Sequence, residues 1–67
     1  MVLYTQKNCP QCRMVHMLLD KKPNLQYEEC QDLGIMQAAG VRHTPAAEIN
    51  GQIFQGKALI DYIKTTN

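Results

Sequence analysis

Apolar and polar positions along this chain fall into short blocks that predict seven elements. VLYT (Val2–Thr5) is a continuous run of strand formers, the pattern of a strand buried on both faces. From Pro10 to Lys22, Met14, Val15, Leu18 and Leu19 form an apolar stripe at helical spacing. Pro10 suits the first helical turn, where the missing N–H costs nothing. Lys21 and Lys22 suit the last turn, and Pro23 stops the helix. LQYEE (Leu25–Glu29) alternates, with Leu25 and Tyr27 on one side, and predicts a half-exposed strand.

Asp32 can cap a short helix, LGIMQAA, which Gly40 terminates and Gly34 weakens. AEI and QIF flank Asn50–Gly51, the strongest local signal for a tight hairpin. KALIDYIK then places Leu59, Ile60 and Ile63 at helical spacing. The order β-α-β-α-β-β-α predicts an α/β fold. A parallel right-handed β-α-β unit and an antiparallel hairpin combine into a four-stranded mixed sheet packed by helices.

With 67 residues, the chain is expected to form a single domain over 1–67, with a small core. The net charge of +1 comes from scattered residues of both signs, so no nucleic-acid face is expected. No apolar run approaches the ~20 residues that span a membrane, and Met1 leads directly into a strand. The expected setting is therefore the cytoplasm, where thiols stay reduced.

That setting gives KNCPQCRMVH, Lys7–His16, its interest. Cys9 and Cys12 form a CxxC pair at the head of the first helix, directly after a strand. A bridge between them closes too small a loop to stabilise the fold appreciably. On a helical projection Cys12 lies at the edge of the apolar stripe, half-buried. Cys9 lies nearly opposite, facing solvent among the free N–H groups of the helix start. Those groups, with Lys7 nearby, favour a thiolate. An exposed thiolate can attack a disulfide, and a second cysteine behind it can displace the product. His16 falls between Arg13 and Asp20 on the polar face and reads as a solvated side chain. Cys30 has no partner at a recognisable spacing and reads as structural.

HTPA (His43–Ala46) precedes the hairpin. Together with CPQC it makes the chain resemble the glutaredoxin and thioredoxin superfamily over nearly its whole length. YTQKNCPQC is similar to the family's first strand and active-site loop, GVRHTPA to its cis-proline segment, and NGQIFQG to its closing hairpin. The smallest members, glutaredoxins and glutaredoxin-like hydrogen donors of ribonucleotide reductase, are the best match. The resemblance implies a thioredoxin-like fold of the glutaredoxin type and a cis Thr44–Pro45 bond beside the cysteines. It also implies a substrate segment pairing with the backbone before Pro45. Substrate contacts would come from Lys7, Pro10, Gln11, His43, Thr44 and Pro45, with Cys9 and Cys12 catalytic.

The implied function is thiol–disulfide oxidoreduction by a monomer. Protein disulfides are the substrates, ribonucleotide reductase among them, and thioredoxin reductase or glutathione is the reductant. No cofactor beyond the cysteine pair and no metal is expected. Glutathione-using members carry a Gly-Gly pair, a small residue and an aspartate at the start of the last helix. Here QGKALID places Lys57 and Ala58 there, with Asp61 a turn later, so the reductant stays open.

Three other readings fit parts of the pattern. A CxxC after a first strand also occurs in copper- and zinc-binding modules, but a structural zinc site takes four ligands and this chain has one pair. An iron–sulfur dimer would use one cysteine per subunit with glutathione, and Pro10 counts against it. A non-catalytic interaction domain leaves the two-cysteine geometry unexplained.

Overall fold

The computed structural model describes residues 1–66. Their order is β1 (Val2–Tyr4), α1 (Pro10–Asp20), β2 (Glu28–Cys30), α2 (Leu33–Ala38), β3 (Ala46–Ile49), β4 (Gln52–Gln55) and α3 (Lys57–Thr65). The four strands form one mixed sheet in the order β2-β1-β3-β4. β1 runs parallel to β2 and antiparallel to β3, and β3 runs antiparallel to β4. The expected α/β architecture, with a four-stranded mixed sheet and helices packed on it, is present.

Alternation along β1 sends successive side chains to opposite sides of the sheet. Leu3 points to one side, where Ala47 and Ile49 of β3 meet Val15 and Leu19 of α1 and Leu59 and Ile63 of α3. Tyr4 points to the other, where it packs with Ala46, Met36 of α2 and Val41. β1 is thus covered on both faces, as its unbroken apolar run predicts.

The turn between β3 and β4 has Asn50 at φ 52° and Gly51 at φ 82°. Two successive positive φ values are what a two-residue hairpin of matching twist requires, and Asn-Gly tolerates them. Asp32 caps α2 as expected, its Oδ1 accepting from the Ile35 N–H at 3.0 Å. A side chain at Gly34 would lie 3.2 Å from that same oxygen, so a larger residue here would crowd the cap.

Three local expectations differ from the structure. The strand placed over Leu25–Glu29 lies instead at Glu28–Cys30. Leu25 closes a turn onto the Lys22 carbonyl at 2.9 Å, and Leu25 and Tyr27 pack against the Leu3 cluster from a loop. Met14, placed in the core stripe, is 45% exposed, whereas Cys12, placed at its edge, is 2% exposed. The buried stripe is Cys12, Val15, Leu19, so the helix is rotated away from Met14.

The first helix ends at Asp20 rather than Lys22, since residues before Pro23 are disfavoured in the α conformation. Lys22 instead reaches α3, its Nζ donating to the carbonyls of Lys64 and Thr66. It therefore satisfies orphan carbonyls of another helix.

Candidate active site

The chain leaves β1 through Thr5–Asn8 and turns sharply into α1, with Asn8 at φ 59°. Cys9 is the N-cap of α1, in extended backbone, and its Sγ accepts from the Cys12 N–H at 3.1 Å. A thiol sulfur thus stands where a serine or aspartate oxygen usually caps a helix. The same donors and the positive end of the helix stabilise a thiolate formed there. The first turn of α1 carries no acidic residue to oppose that field.

Cys9 and Cys12 are joined as a disulfide, with Cα atoms 5.2 Å apart. Cys9 is half-buried and Cys12 is enclosed by the core, while Pro10 and Gln11 are exposed beside them. The asymmetry expected of the pair is therefore present, with both cysteines deeper than the helical projection placed them: Cys9 is half-buried rather than solvent-facing, and Cys12 is buried.

The loop before β3 faces this pair. The Thr44–Pro45 bond is cis, as the resemblance implied. Thr44 Oγ1 lies 4.0 Å from Cys9 Sγ and 3.5 Å from Gln6 Oε1. Pro45 is buried, and its carbonyl accepts from the Gly56 N–H at 2.8 Å. Gly56 makes that contact at φ 56°, a conformation that favours glycine. On the other side, Gln55 Oε1 accepts from both the Arg42 and the His43 N–H at 2.9 Å. The loop carrying Thr44 is thus pinned to the end of β4 through three hydrogen bonds.

A groove of about 150 Å³ runs from Thr44 along α2. Leu33, Met36 and Val41 give it apolar walls, Gln6, Gln37 and Thr44 line it with polar groups, and Arg42 and His43 complete it with no acidic residue. Lys7 is exposed and stands outside this lining. A larger cleft of about 530 Å³, with Glu28 and Glu48 in its walls, lies at the opposite end of the strands, and neither cavity has a cysteine in its lining.

Of the residues expected to form a site, Cys9, Cys12, His43, Thr44 and Pro45 are brought to one end of the sheet. Pro10 and Gln11 are carried there by the helix turn and Lys7 by the preceding loop. Sequence reasoning missed Gln6 and Gln55. Gln55 is 12 and 13 residues from its partners, and only the hairpin geometry brings it to them.

His16 corrects a further expectation. It is not simply solvated: Nε2 lies 3.0 Å from Glu29 Oε1, with the two side chains 35% and 32% exposed. Glu29 Oε2 also accepts from the hydroxyl of the fully buried Thr5 at 2.5 Å.

Cys30 is a free, half-buried thiol at the end of β2, packed against the Tyr4 cluster. Burial raises the Tyr4 phenol pKa above its ordinary value of 10.0, and Glu48 and Cys30 add to the effect. Among the described residues, no three His, Cys, Asp or Glu side chains gather in a way that could hold a metal ion. No helix among them is long and apolar enough to cross a membrane. Compared with protein-family models, curated proteins and solved structures, the chain matches none.

Proposed function

We propose that this chain is a dithiol–disulfide oxidoreductase of glutaredoxin-like, thioredoxin-type fold. One observation carries the reading: a cysteine caps a helix, is bonded to a buried cysteine one turn on, and faces the Thr44 hydroxyl across 4.0 Å. In the reduced chain the Cys9 thiolate attacks a substrate disulfide, forming a Cys9–substrate bond and releasing one substrate thiolate. Cys12 then attacks Cys9, forming the internal disulfide and releasing the second. Two electrons pass from the cysteine pair to the substrate, and no further cofactor enters the balance.

The substrate is an extended polypeptide segment that adds to the backbone at Thr44, a form of strand addition. The groove beside Thr44 supports this, with apolar walls from Leu33, Met36 and Val41 to take a side chain of a segment lying along Thr44. Pro10, Gln11 and His43 border the segment, and Lys7 adds positive charge to the thiolate's surroundings. The setting is the cytoplasm and the working form a monomer.

Thioredoxin reductase is the favoured reductant over glutathione. Lys57 and Ala58 open α3, where glutathione-using members of the family it resembles place an amine-binding aspartate. Ribonucleotide reductase is the first target to try, given the resemblance to its hydrogen donors.

NADPH consumption during disulfide reduction tests the reading in two parallel assays. One supplies thioredoxin reductase, the other glutathione with glutathione reductase. Turnover with the first is expected. Turnover with glutathione alone reverses the reductant assignment, and silence in both with titratable thiols overturns the function.

A further inference from the structure

The role given to Cys12 makes a chemical demand, and this inference rests on that role. A thiol must lose its proton to become a nucleophile. Cys12 is 2% exposed in the oxidised chain, and burial disfavours a thiolate. Water reaches it poorly, so a protein group has to take the proton.

His16 is placed for that. It follows Cys12 by four residues on α1, so their Cβ atoms are about 5–6 Å apart on one helix face. Helical side chains lean toward the N-terminus, so Cys12 and His16 share one side of α1. Its far nitrogen, Nε2, is engaged by Glu29 Oε1 at 3.0 Å. Glu29 is itself fixed, since Oε2 accepts from Thr5 Oγ1, which in turn accepts from Gln31 Nε2 at 3.3 Å.

Glu29 is paired with Leu3 across β1 and β2, and Thr5 lies two residues beyond Leu3. Both therefore face the side of the sheet on which α1 packs. A carboxylate at Nε2 selects the imidazole tautomer protonated there, leaving the Nδ1 lone pair free. A nucleophile, a base and a group that orients the base form a recurring catalytic arrangement.

We propose that His16 accepts the Cys12 proton as Cys12 attacks the mixed disulfide, and that Glu29 is the positioning residue that sets the His16 tautomer. The Cys12 S–H proton passes to Nδ1 while the Cys12 sulfur bonds to the Cys9 sulfur. The bond between Cys9 and the substrate breaks, and the substrate sulfur leaves with the electron pair. The imidazolium then returns its proton to the leaving thiolate or to water. Arg13 and Asp20 flank His16 by helical spacing on α1, Glu29 reaches it from β2, and Thr5 and Gln31 on the Glu29 side are neutral.

The test uses the reduced full chain and an aromatic disulfide whose two thiolate products absorb visibly. The first release reports attack by Cys9 and the second reports resolution by Cys12. His16→Gln keeps a donor for Glu29 but has no basic nitrogen. It should slow the second release by about 100-fold, within the range of acid–base assistance, and leave the first within about twofold. His16→Ala should be slowed likewise, and imidazole in the buffer should restore much of its second phase. Glu29→Gln should slow the same phase by about tenfold.

An unchanged second phase in His16→Gln overturns the proposal. So does a slow second phase in His16→Ala that imidazole does not restore, since the side chain then acts only by packing. A wild-type chain that gives no second release sinks the two-cysteine mechanism itself, which separates that failure from this one.

Discussion

Gln55 offers the sharpest perturbation of substrate binding, because it touches neither cysteine. Its Oε1 accepts from two consecutive backbone N–H groups, those of Arg42 and His43, at 2.9 Å each. Gln55→Leu keeps the size of the side chain and removes both acceptors. A net hydrogen bond contributes roughly 0.5–1.5 kcal/mol. Arg42 and His43 are exposed, so water partly replaces what is lost, which puts the pair near the low end of twice that range. The loop that presents Thr44 then loses about 1.4 kcal/mol of ordering, equivalent to a tenfold change in a binding constant.

The KM for a protein disulfide should rise about tenfold at nearly constant kcat. Alkylation of reduced Cys9 by iodoacetamide, which does not use the loop, should keep its rate. Gln55→Glu retains an acceptor oxygen and should recover most of the binding. An unchanged KM in Gln55→Leu would refute the claim that the pinned loop receives the substrate. So would an equal loss in the alkylation rate, which would place the damage at Cys9.

Other expected outcomes concern stability and the third thiol. Leu59 is fully enclosed between α3 and the sheet, so Leu59→Ala should cost about 2–5 kcal/mol, read as a fall in the urea midpoint. A change under about 1 kcal/mol would show that α3 does not seal the core. The Tyr4 phenol titrates above its ordinary value of 10.0 in the folded chain, so the folded state holds this proton more tightly. Its contribution is complete below pH 10.0 and is lost as pH rises from there through the folded value. Stability measured across that range should fall more steeply in the wild type than in Tyr4→Phe, and parallel curves would contradict the assignment. Cys30→Ser should leave the rate of disulfide reduction unchanged, and a lost activity would give Cys30 a redox role.

What was legible in the sequence was local. Asn50–Gly51, the Asp32 cap, Pro10 at a helix start and the CxxC spacing each act within a few residues, and each stands where the pattern placed it. The four-stranded mixed sheet followed because the β-α-β crossover and the hairpin leave few ways to form one sheet. The readings that shifted depend on contacts between elements. Met14 and Cys12 exchanged environments because the rotation of α1 is set by what the sheet and α3 offer it, and a short helix projects ambiguously.

LQYEE alternated for a different reason: Leu25 and Tyr27 bury themselves from a loop, so the same spacing arose without a ladder. The most informative parts of the candidate site carried no signal at all. Gln55 grips backbone atoms, which no side-chain pattern announces. His16 meets Glu29 only because β2 lies under α1 in strand register with β1. Lys22, read as a last-turn residue of its own helix, closes α3 instead because the two C-terminal ends meet.

The central claim is that Cys9 attacks and Cys12 resolves, and trapping tests it most directly. Reduced Cys12→Ser is mixed with a protein disulfide, and the adduct is mapped by mass spectrometry after blocking free thiols. The account predicts a stable mixed disulfide at Cys9, released by added dithiol, with none formed by Cys9→Ser. An adduct carried on Cys30, or efficient turnover by Cys9→Ser, would contradict it.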